Sequence, residues 1–327
     1  MTDIAAYRAY WHPIATSMEV NEKPQRFTLL GEHLVAYRVD GDAVVMRDLC
    51  IHRGAALSVG NVVDGNIECA YHGWQYDRTG KCARIPALPE GRPIPSKAHA
   101  INYQVREHAG LVWVAMSDPL APFPDWPQGC EFDAPGVRGH VVGHYPWDVG
   151  AGRAVENFLD VSHFPFIHED VLGVREDPLV RDHEISRDDY GYSFVYLQKE
   201  PADPTAGEGE VLELNYHYRM PLTAHLQRVA PDGRWTCISL LASPTSATTS
   251  DLFITCTRNF DLDPSADQGL SDFIEMVLAQ DKAVVQSVRP EQIPVDLREE
   301  LHIKVPDAAG MLLRRYLGRV EGIDSVA

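Results

Sequence analysis

Short stretches in which apolar and polar residues alternate fill the first third of the chain. Three of them, at 27–30, 33–38 and 43–46, are separated by turn-forming residues and predict the strands of a small antiparallel sheet. Two more, at 101–105 and 110–114, complete the pattern. Alternation of this kind puts the apolar side chains on one face of a strand. We therefore predict an all-β N-terminal domain.

A proline-rich connection separates this domain from the rest of the chain. Residues 117–127 carry four prolines and predict a linker rather than a helix or strand. The following stretches then predict five strands, at 190–197, 211–220, 222–229, 235–242 and 251–259, a loop at 201–210, and two helices, at 266–288 and 306–319. We predict domains at 1–118 and 119–327 and an α+β fold, in which the second domain is a curved antiparallel sheet packed against helices.

The composition of the chain argues against two classes of binding partner. The chain has 327 residues, 29 basic and 47 acidic, and its net charge of −18 disfavours binding to nucleic acid or to anionic membranes. It contains no apolar run near the ~20 residues that span a bilayer. The first residues, Met1 to Ile4, lack the basic start and apolar core of a signal peptide. We expect a cytoplasmic protein whose scattered cysteines are mostly reduced rather than in disulfides.

Two short clips in the N-terminal domain each combine one cysteine with one histidine. They are Cys50-Ile51-His52 and, after a spacer of sixteen residues, Cys69-Ala70-Tyr71-His72. Two thiolates suit one iron and two imidazoles suit another, which is the ligand set of a Rieske [2Fe–2S] cluster. The alternative is a Cys₂His₂ zinc site, but zinc fingers keep cysteines in one clip and histidines in the other. Gly54 and Gly73 permit tight turns beside the clips. We predict a Rieske cluster here.

A second group of potential metal ligands lies near the start of the other domain. Asp160, His163 and His168 follow the pattern Asp-x-x-His-x₄-His. On a helix, Asp160 and His163 would share a face, and we expect Pro165 to end that helix so that His168 can turn back to the same metal. Two imidazoles and one more carboxylate form the facial triad of a non-haem Fe(II) oxygenase. Each histidine alone would be more simply explained as a core residue, but the pair in this spacing predicts metal ligation.

Asp281 is the predicted third ligand. It lies within an apolar stripe of the 266–288 helix, formed by Phe273, Val277, Val284 and Val288. A carboxylate on such a face needs a metal or a basic partner, because burying it bare costs several kcal/mol. We favour the metal.

Three other polar features of the sequence do not indicate a catalytic or metal-binding role. For His217 and His225 we expect packing, with pocket lining as the alternative, and for Arg314-Arg315 a solvated helix face.

With both motifs in view, the chain resembles the α subunit of a Rieske non-haem iron aromatic oxygenase of the monooxygenase and demethylase branch. The resemblance covers nearly the whole chain. It rests on the two clips, on Asn-x-x-Asp-x-x-His-x₄-His, which starts at Asn157, and on Asp281. It implies a Rieske domain followed by a helix-grip catalytic domain, with a [2Fe–2S] cluster and a mononuclear Fe(II) as cofactors.

The resemblance also implies a role for each motif residue. Cys50 and Cys69 would hold one cluster iron, and His52 and His72 the redox-active one. His163, His168 and Asp281 would hold the catalytic iron. Asp160 would connect a catalytic histidine to His72 of the partner subunit, and Asn157 would lie beside the catalytic iron without being a firm ligand.

The implied function is that of a terminal oxygenase. It would use O₂ and electrons from a separate reductase or ferredoxin to hydroxylate, or to O- or N-demethylate, an aromatic or heterocyclic small molecule, and it would form a homotrimer. Two alternatives remain at this point: a cis-dihydroxylating dioxygenase, and a Rieske electron carrier, for which residues 1–118 alone would suffice. We expect a largely apolar substrate pocket between strands 211–242 and helix 273–288.

Overall fold

The computed structural model describes residues 4–199, 201 and 210–323. These residues form two compact units, one of Arg8–Leu120 and one that joins the residues up to Tyr7 to those from Ala121 onward. The loop predicted at 201–210 lies, apart from its two end residues, outside the described residues. No helix within the described ranges is long and apolar enough to cross a membrane.

The Arg8–Leu120 unit consists of three small antiparallel sheets. Its strands are β1 (His12–Thr16), β2 (Gln25–Leu29), β3 (Glu32–Val39), β4 (Asp42–Arg47), β5 (Asn61–Val63), β6 (Asn66–Glu68), β7 (Gln75–Tyr76), β8 (Cys82–Arg84), β9 (Gln104–His108) and β10 (Leu111–Ala115). The sheets have the orders β1-β10-β9, β2-β3-β4 and β5-β6-β7-β8. The all-β prediction is confirmed, although the strand predicted at 101–105 lies instead at Gln104–His108.

Tight hairpins set the register of these sheets. The turns between β3 and β4 and between β5 and β6 are Asp40-Gly41 and Asp64-Gly65, and all four residues have positive φ. Two consecutive residues with positive φ form the turn whose twist matches that of the flanking strands, and Asp-Gly is a favoured sequence for it. The hairpin register puts Val35 and Met46 opposite one another in the core beside the two clips.

The second unit is built on one seven-stranded antiparallel sheet. Its strands are β11 (Arg138–Trp147), β12 (Ile185–Arg187), β13 (Gly191–Lys199), β14 (Val211–Arg219), β15 (Thr223–Val229), β16 (Trp235–Pro244) and β17 (Ser250–Arg258), in the order β11-β17-β16-β15-β14-β13-β12. Its α-helices are α1 (Ala151–Leu159), α2 (Phe164–Ile167), α3 (Asp267–Val285) and α4 (Ala308–Val320). The predicted combination of an antiparallel sheet with helices is confirmed, and β11 and β12 are additional strands.

Two local predictions about helices are wrong. Pro165 does not end a helix: α1 ends at Leu159, and Pro165 occupies the first turn of the short α2, where its missing N–H leaves no bond unmade. On α3 the buried positions are Leu270, Ser271, Ile274, Leu278, Asp281 and Val285, whereas Val284 is 46% exposed. The buried stripe is therefore displaced by about one residue from the predicted one, and Asp281 remains within it.

Candidate metal centres

The two Cys-His clips have the same backbone structure. In the first, the Cys50 amide donates to Ala55 O (2.7 Å) and the Gly54 amide donates to Cys50 O (2.9 Å). In the second, the Cys69 amide donates to Trp74 O (2.8 Å) and the Gly73 amide donates to Cys69 O (2.9 Å). Gly54 and Gly73 have φ of 75° and 68°, a conformation that glycine adopts at no steric cost. Each clip thus closes into one turn that presents a cysteine and a histidine together.

The cysteine sulfurs lie in the core, and the histidines lie towards the surface. Cys50 and Cys69 are each 1% exposed. Burial raises the pKa of the Cys69 thiol, while hydrogen bonds from the amides of Tyr71 and His72 act to lower it. Amide donors of this kind stabilise a thiolate, so they suit a metal-bound sulfur.

The histidine rings of the two clips, His52 and His72, are in edge-to-face contact, with a centroid distance of 4.6 Å and an interplanar angle of 64°. The indole of Trp74 stacks on the His52 ring at 4.6 Å and fixes its plane. The Nδ1 atom of His52 is buried and forms no hydrogen bond with any described residue. A buried ring nitrogen without a hydrogen bond is what a ligand nitrogen needs, so the clips fit a cluster with two thiolates and two imidazoles.

Tyr76 is a neighbour of the first cysteine that sequence reasoning missed. Its side chain is fully buried, and its hydroxyl lies 3.1 Å from Cys50 Sγ. Burial, and then the hydrogen bond to Cys50, raise the pKa of Tyr76. The phenol therefore stays protonated and can donate to the sulfur. Its position four residues after His72, on β7, is the only signal that the sequence offers.

In the second unit, the three predicted triad residues come together. The potential ligand atoms of His163, His168 and Asp281 all lie within 4.8 Å of one another. Asp281 Oδ1 is 3.5 Å from His163 Nε2 and 3.1 Å from His168 Nε2. His168 is fully buried and Asp281 is 7% exposed. Because His168 Nε2 forms no hydrogen bond of good geometry among the described residues, this cluster can hold one metal ion.

Neighbouring polar groups orient both imidazoles. Asp160 follows the last residue of α1, and its Oδ2 lies 3.3 Å from His163 Nδ1. On His168, Nδ1 lies 2.7 Å from Gln280 Oε1. If each Nδ1 carries the proton and donates, the lone pair of each Nε2 points to Asp281. Gln280 was not predicted, although it precedes Asp281 directly on α3.

The Asp160 carboxylate has several donors. Its Oδ1 accepts from the Ser162 amide (2.8 Å) and hydroxyl (2.6 Å). Burial alone would raise the pKa of Asp160, but the hydrogen bonds from His163 and Ser162 outweigh it and hold the pKa below its ordinary value. Asn157, one turn earlier, donates from Nδ2 to Asp281 Oδ1 at 3.3 Å. The predicted site residues of the second unit therefore form one connected group.

Buried ion pairs fix the helix that carries Asn157 and precedes Asp160. Arg314 is only 2% exposed, so the prediction that it lies on a solvated helix face is wrong. Its guanidinium on α4 donates to Glu156 on α1 (2.7 Å) and to Glu300. Arg153 on α1 also donates to Glu300, and hydrogen bonds from Arg153 and Arg314 lower the pKa of Glu300 to about 2. These pairs hold α1 against α4.

A mostly apolar pocket of about 60 Å³ opens beside the triad. The pocket is lined by helix and strand residues, among them Asn157, Phe158, Phe164, Leu172, Leu226, Arg228, Ile238, Phe273, Ile274, Val277 and Leu278. The strand and helix walls are those expected from the sequence. His217 and His225 do not line it: His225 is fully buried and bonds Ser239 Oγ (2.7 Å), and His217 lines a separate open depression.

Comparison with known proteins finds one matching family model in each half of the chain. A Rieske [2Fe-2S] domain matches residues 10–107, and the vanillate O-demethylase oxygenase C-terminal domain matches residues 147–321. The chain belongs to the Rieske oxygenase family. Like its family, this Rieske oxygenase uses a [2Fe–2S] cluster and a mononuclear iron.

Two curated relatives match this Rieske oxygenase over most of their length. It is 30% identical over 322 residues to the methylxanthine N1-demethylase NdmA of Pseudomonas putida, covering 95% of this chain and 88% of the relative. It is 30% identical over 307 residues to the N3-demethylase NdmB of the same organism, covering 90% and 84%.

Solved structures show the same fold. The structure of NdmA with caffeine superposes with a TM-score of 0.85 at 30% identity, covering 96% of this chain and 90% of that one. Dicamba monooxygenase bound to dicamba has a TM-score of 0.82 at 24% identity, covering 98% of both chains, and supports the fold alone. The predicted order, a Rieske domain and then a catalytic domain with a large antiparallel sheet, is confirmed.

Proposed function

We propose that this chain is the terminal oxygenase of a Rieske monooxygenase system that hydroxylates, or removes methyl groups from oxygen or nitrogen of, an aromatic or heterocyclic small molecule. The observation that carries the proposal is the His163, His168 and Asp281 cluster at the wall of an apolar pocket. A protein that only carries electrons needs the cysteine-histidine clips but no second cluster beside a pocket.

The two groups of side chains suit different tasks. The clips offer two thiolates and two imidazoles, a donor set for an electron-storing cluster. His163, His168 and Asp281 offer two imidazoles and a carboxylate, and an iron held by such a triad supplies open positions for O₂ chemistry. The adjoining pocket binds the substrate and excludes water. At about 60 Å³ it is smaller than an aromatic substrate needs, so its apolar side chains must shift when substrate enters.

The overall reaction needs two electrons. One atom of O₂ enters a C–H bond of the substrate, and the other leaves as water with two electrons and two protons. When the attacked carbon is a methyl group on oxygen or nitrogen, the hydroxymethyl product breaks its O–C or N–C bond and releases formaldehyde. A separate reductase or ferredoxin supplies the electrons.

We propose that Asp160 links the two kinds of site. One carboxylate oxygen is used by Ser162, and the other faces His163 Nδ1. In a homotrimer, this carboxylate would also reach His72 of the partner subunit, so that one hydrogen-bonded group joins two imidazoles and fixes their tautomers. Asn157 and Gln280 keep Asp281 and His168 in position through their amide groups. We propose a cytoplasmic enzyme that binds neither nucleic acid nor membrane.

Product analysis tests this function. The purified protein, with NADH and a surrogate reductase, is screened against methylated arenes and methylated nitrogen heterocycles. We expect formaldehyde that depends on substrate and on O₂, in amounts equal to the demethylated product. A product that contains both oxygen atoms of ¹⁸O₂ would instead show dihydroxylation. Electron transfer to other proteins without any substrate oxidation would leave only a carrier.

A further inference from the structure

A buried carboxylate joins the two ends of the loop that carries the first clip. Asp48 lies two residues before Cys50 and is 6% exposed. Its Oδ1 accepts a hydrogen bond from the Ser58 amide (2.7 Å), and its Oδ2 accepts one from the Ser58 hydroxyl (2.7 Å). The segment that these two bonds close contains both ligands of the clip, Cys50 and His52.

An ion pair with Arg26 completes the bonding of this carboxylate. The Nε of Arg26, on β2, donates to Asp48 Oδ2 at 2.6 Å. The side chain of Asp48 is fully buried, whereas that of Arg26 is 46% exposed. Three donors thus satisfy the Asp48 carboxylate, which compensates the cost of burying it. One negative and one positive charge therefore lie close to the cluster ligands.

The two clips are closed at their bases in different ways. Strands β6 and β7 flank the second clip and pair directly at Glu68 and Gln75. The first clip has strand β4 before it but a short 3₁₀ turn, at Leu57–Val59, after it. A strand pair therefore fixes the base of the second clip through its backbone. In the first clip, the side chain of Asp48 has this role.

We propose that Asp48 is a positioning residue for the [2Fe–2S] cluster. It holds Cys50 and His52 in their ligand positions, and its charge, together with that of Arg26, tunes the reduction potential. A loop whose ends are already joined loses less conformational freedom when it binds the cluster, so the cluster is retained better. Reduction adds an electron to the cluster, so a nearby carboxylate favours the oxidised form and a nearby guanidinium favours the reduced form.

Cluster retention tests the positioning role. The loaded full-length protein is incubated with an iron chelator, and the visible absorbance of the cluster is followed with time. Asp48→Ala removes all three acceptor contacts and should lose the cluster on the order of tenfold faster than wild type, as for the loss of a charged hydrogen bond. Asp48→Asn keeps an acceptor for the Ser58 amide and should restore much of the retention. Equal retention in Asp48→Ala and wild type would overturn the proposal.

An exposed ion pair on the same strand provides the matched control. Asp42 lies at the other end of β4, its side chain is 76% exposed, and it pairs with Arg78 at 3.4 Å. Such a pair contributes little and is screened by solvent. Asp42→Asn should therefore retain the cluster as long as wild type does and should leave its reduction potential unchanged.

Redox titration separates the charge of Asp48 from its effect on the loop. Asp48→Asn removes a negative charge and should raise the potential, so that reduced cluster exceeds oxidised cluster several-fold at the wild-type midpoint. Arg26→Gln removes a positive charge and should lower the potential. A purely structural role would move both variants in the same direction, because both weaken the same link. Shifts in the same direction, or no shift in either variant, would overturn the proposal.

Two mild variants keep the proposal testable if Asp48→Ala does not fold. Ser58→Ala removes one hydroxyl donor and should lose the cluster a few times faster than wild type. Arg26→Gln changes a half-exposed side chain and reports on the potential. Wild-type retention in Ser58→Ala together with a wild-type potential in Arg26→Gln would overturn the proposal. Neither measurement needs a substrate, so the outcome is independent of the proposed function.

Discussion

The hydrogen bond between Tyr76 and Cys50 gives a quantitative prediction for the first metal centre. Tyr76→Phe removes only the hydroxyl that lies 3.1 Å from Cys50 Sγ, in a fully buried position. A donor to a ligand sulfur stabilises the reduced, more negative cluster more than the oxidised one. We take this hydrogen bond to be about 1 kcal/mol stronger in the reduced cluster than in the oxidised one, which is a fraction of the strength of a charged hydrogen bond. Its loss in Tyr76→Phe then lowers the reduction potential by about 40 mV.

The assay is a redox titration of the cluster, followed by its EPR signal. A matched control is Tyr37→Phe, because Tyr37 is equally buried in the same core and its hydroxyl contacts Met46 Sδ at 4.0 Å instead of a cysteine. We expect the control to leave the potential unchanged. A potential that is the same in Tyr76→Phe and wild type, with both variants folded and fully loaded, would refute the reasoning that this hydroxyl donates to the cluster ligand.

Three further predictions concern the second unit. Asp281→Ala should lose the mononuclear iron and retain the cluster, whereas Asp272→Ala, on an exposed position of the same helix, should lose neither; metal analysis distinguishes them. Asp160→Asn should keep both metals and lose most turnover, and normal turnover would show that electrons take another route. Burial, aided by the charge of Arg219, lowers the pKa of His217 to about 4. Between pH 6.5 and 4 the unfolded chain therefore binds a proton at His217 that the folded chain does not, and stability falls by about 3 kcal/mol as the pH drops. Thermal melts of His217→Gln should show a weaker loss over that range, and an unchanged pH profile would contradict this.

Much of the first site could be predicted because its requirements are local. A cysteine, a histidine two or three residues later and a glycine with positive φ form a complete turn, as the matching hydrogen bonds around Cys50 and Cys69 show. The two thiolates and two imidazoles that these turns present then indicate a Rieske cluster. Tyr76 was missed because its contact with Cys50 depends on how β7 packs, which no spacing in the sequence expresses.

The second site was predictable only where a polar residue interrupts a regular apolar pattern. Asp281 stood out on an amphipathic helix, and its burial agrees with that, although its ligation stays a prediction. Arg228 was overlooked and Arg314 was wrongly predicted to be solvated, because arginines are usually exposed. Their burial results from partners distant in the chain, such as Phe273 and Glu156.

Strand β11 was missed for a different reason. Its sequence mixes glycine, histidine and valine, and most of its side chains are only partly buried, so the apolar alternation typical of a strand is absent. Its pairing with β17 along the sheet, rather than a local preference, determines its conformation.

The central claim is that this chain holds iron at two separate places and that the first supplies electrons to the second. Metal analysis of catalytically active protein, combined with EPR of the reduced cluster, tests it most directly. We predict about three irons per chain, two in the cluster and one at His163, His168 and Asp281. An active preparation with the cluster signal, two irons per chain, and zinc or no metal at the second site would contradict the account.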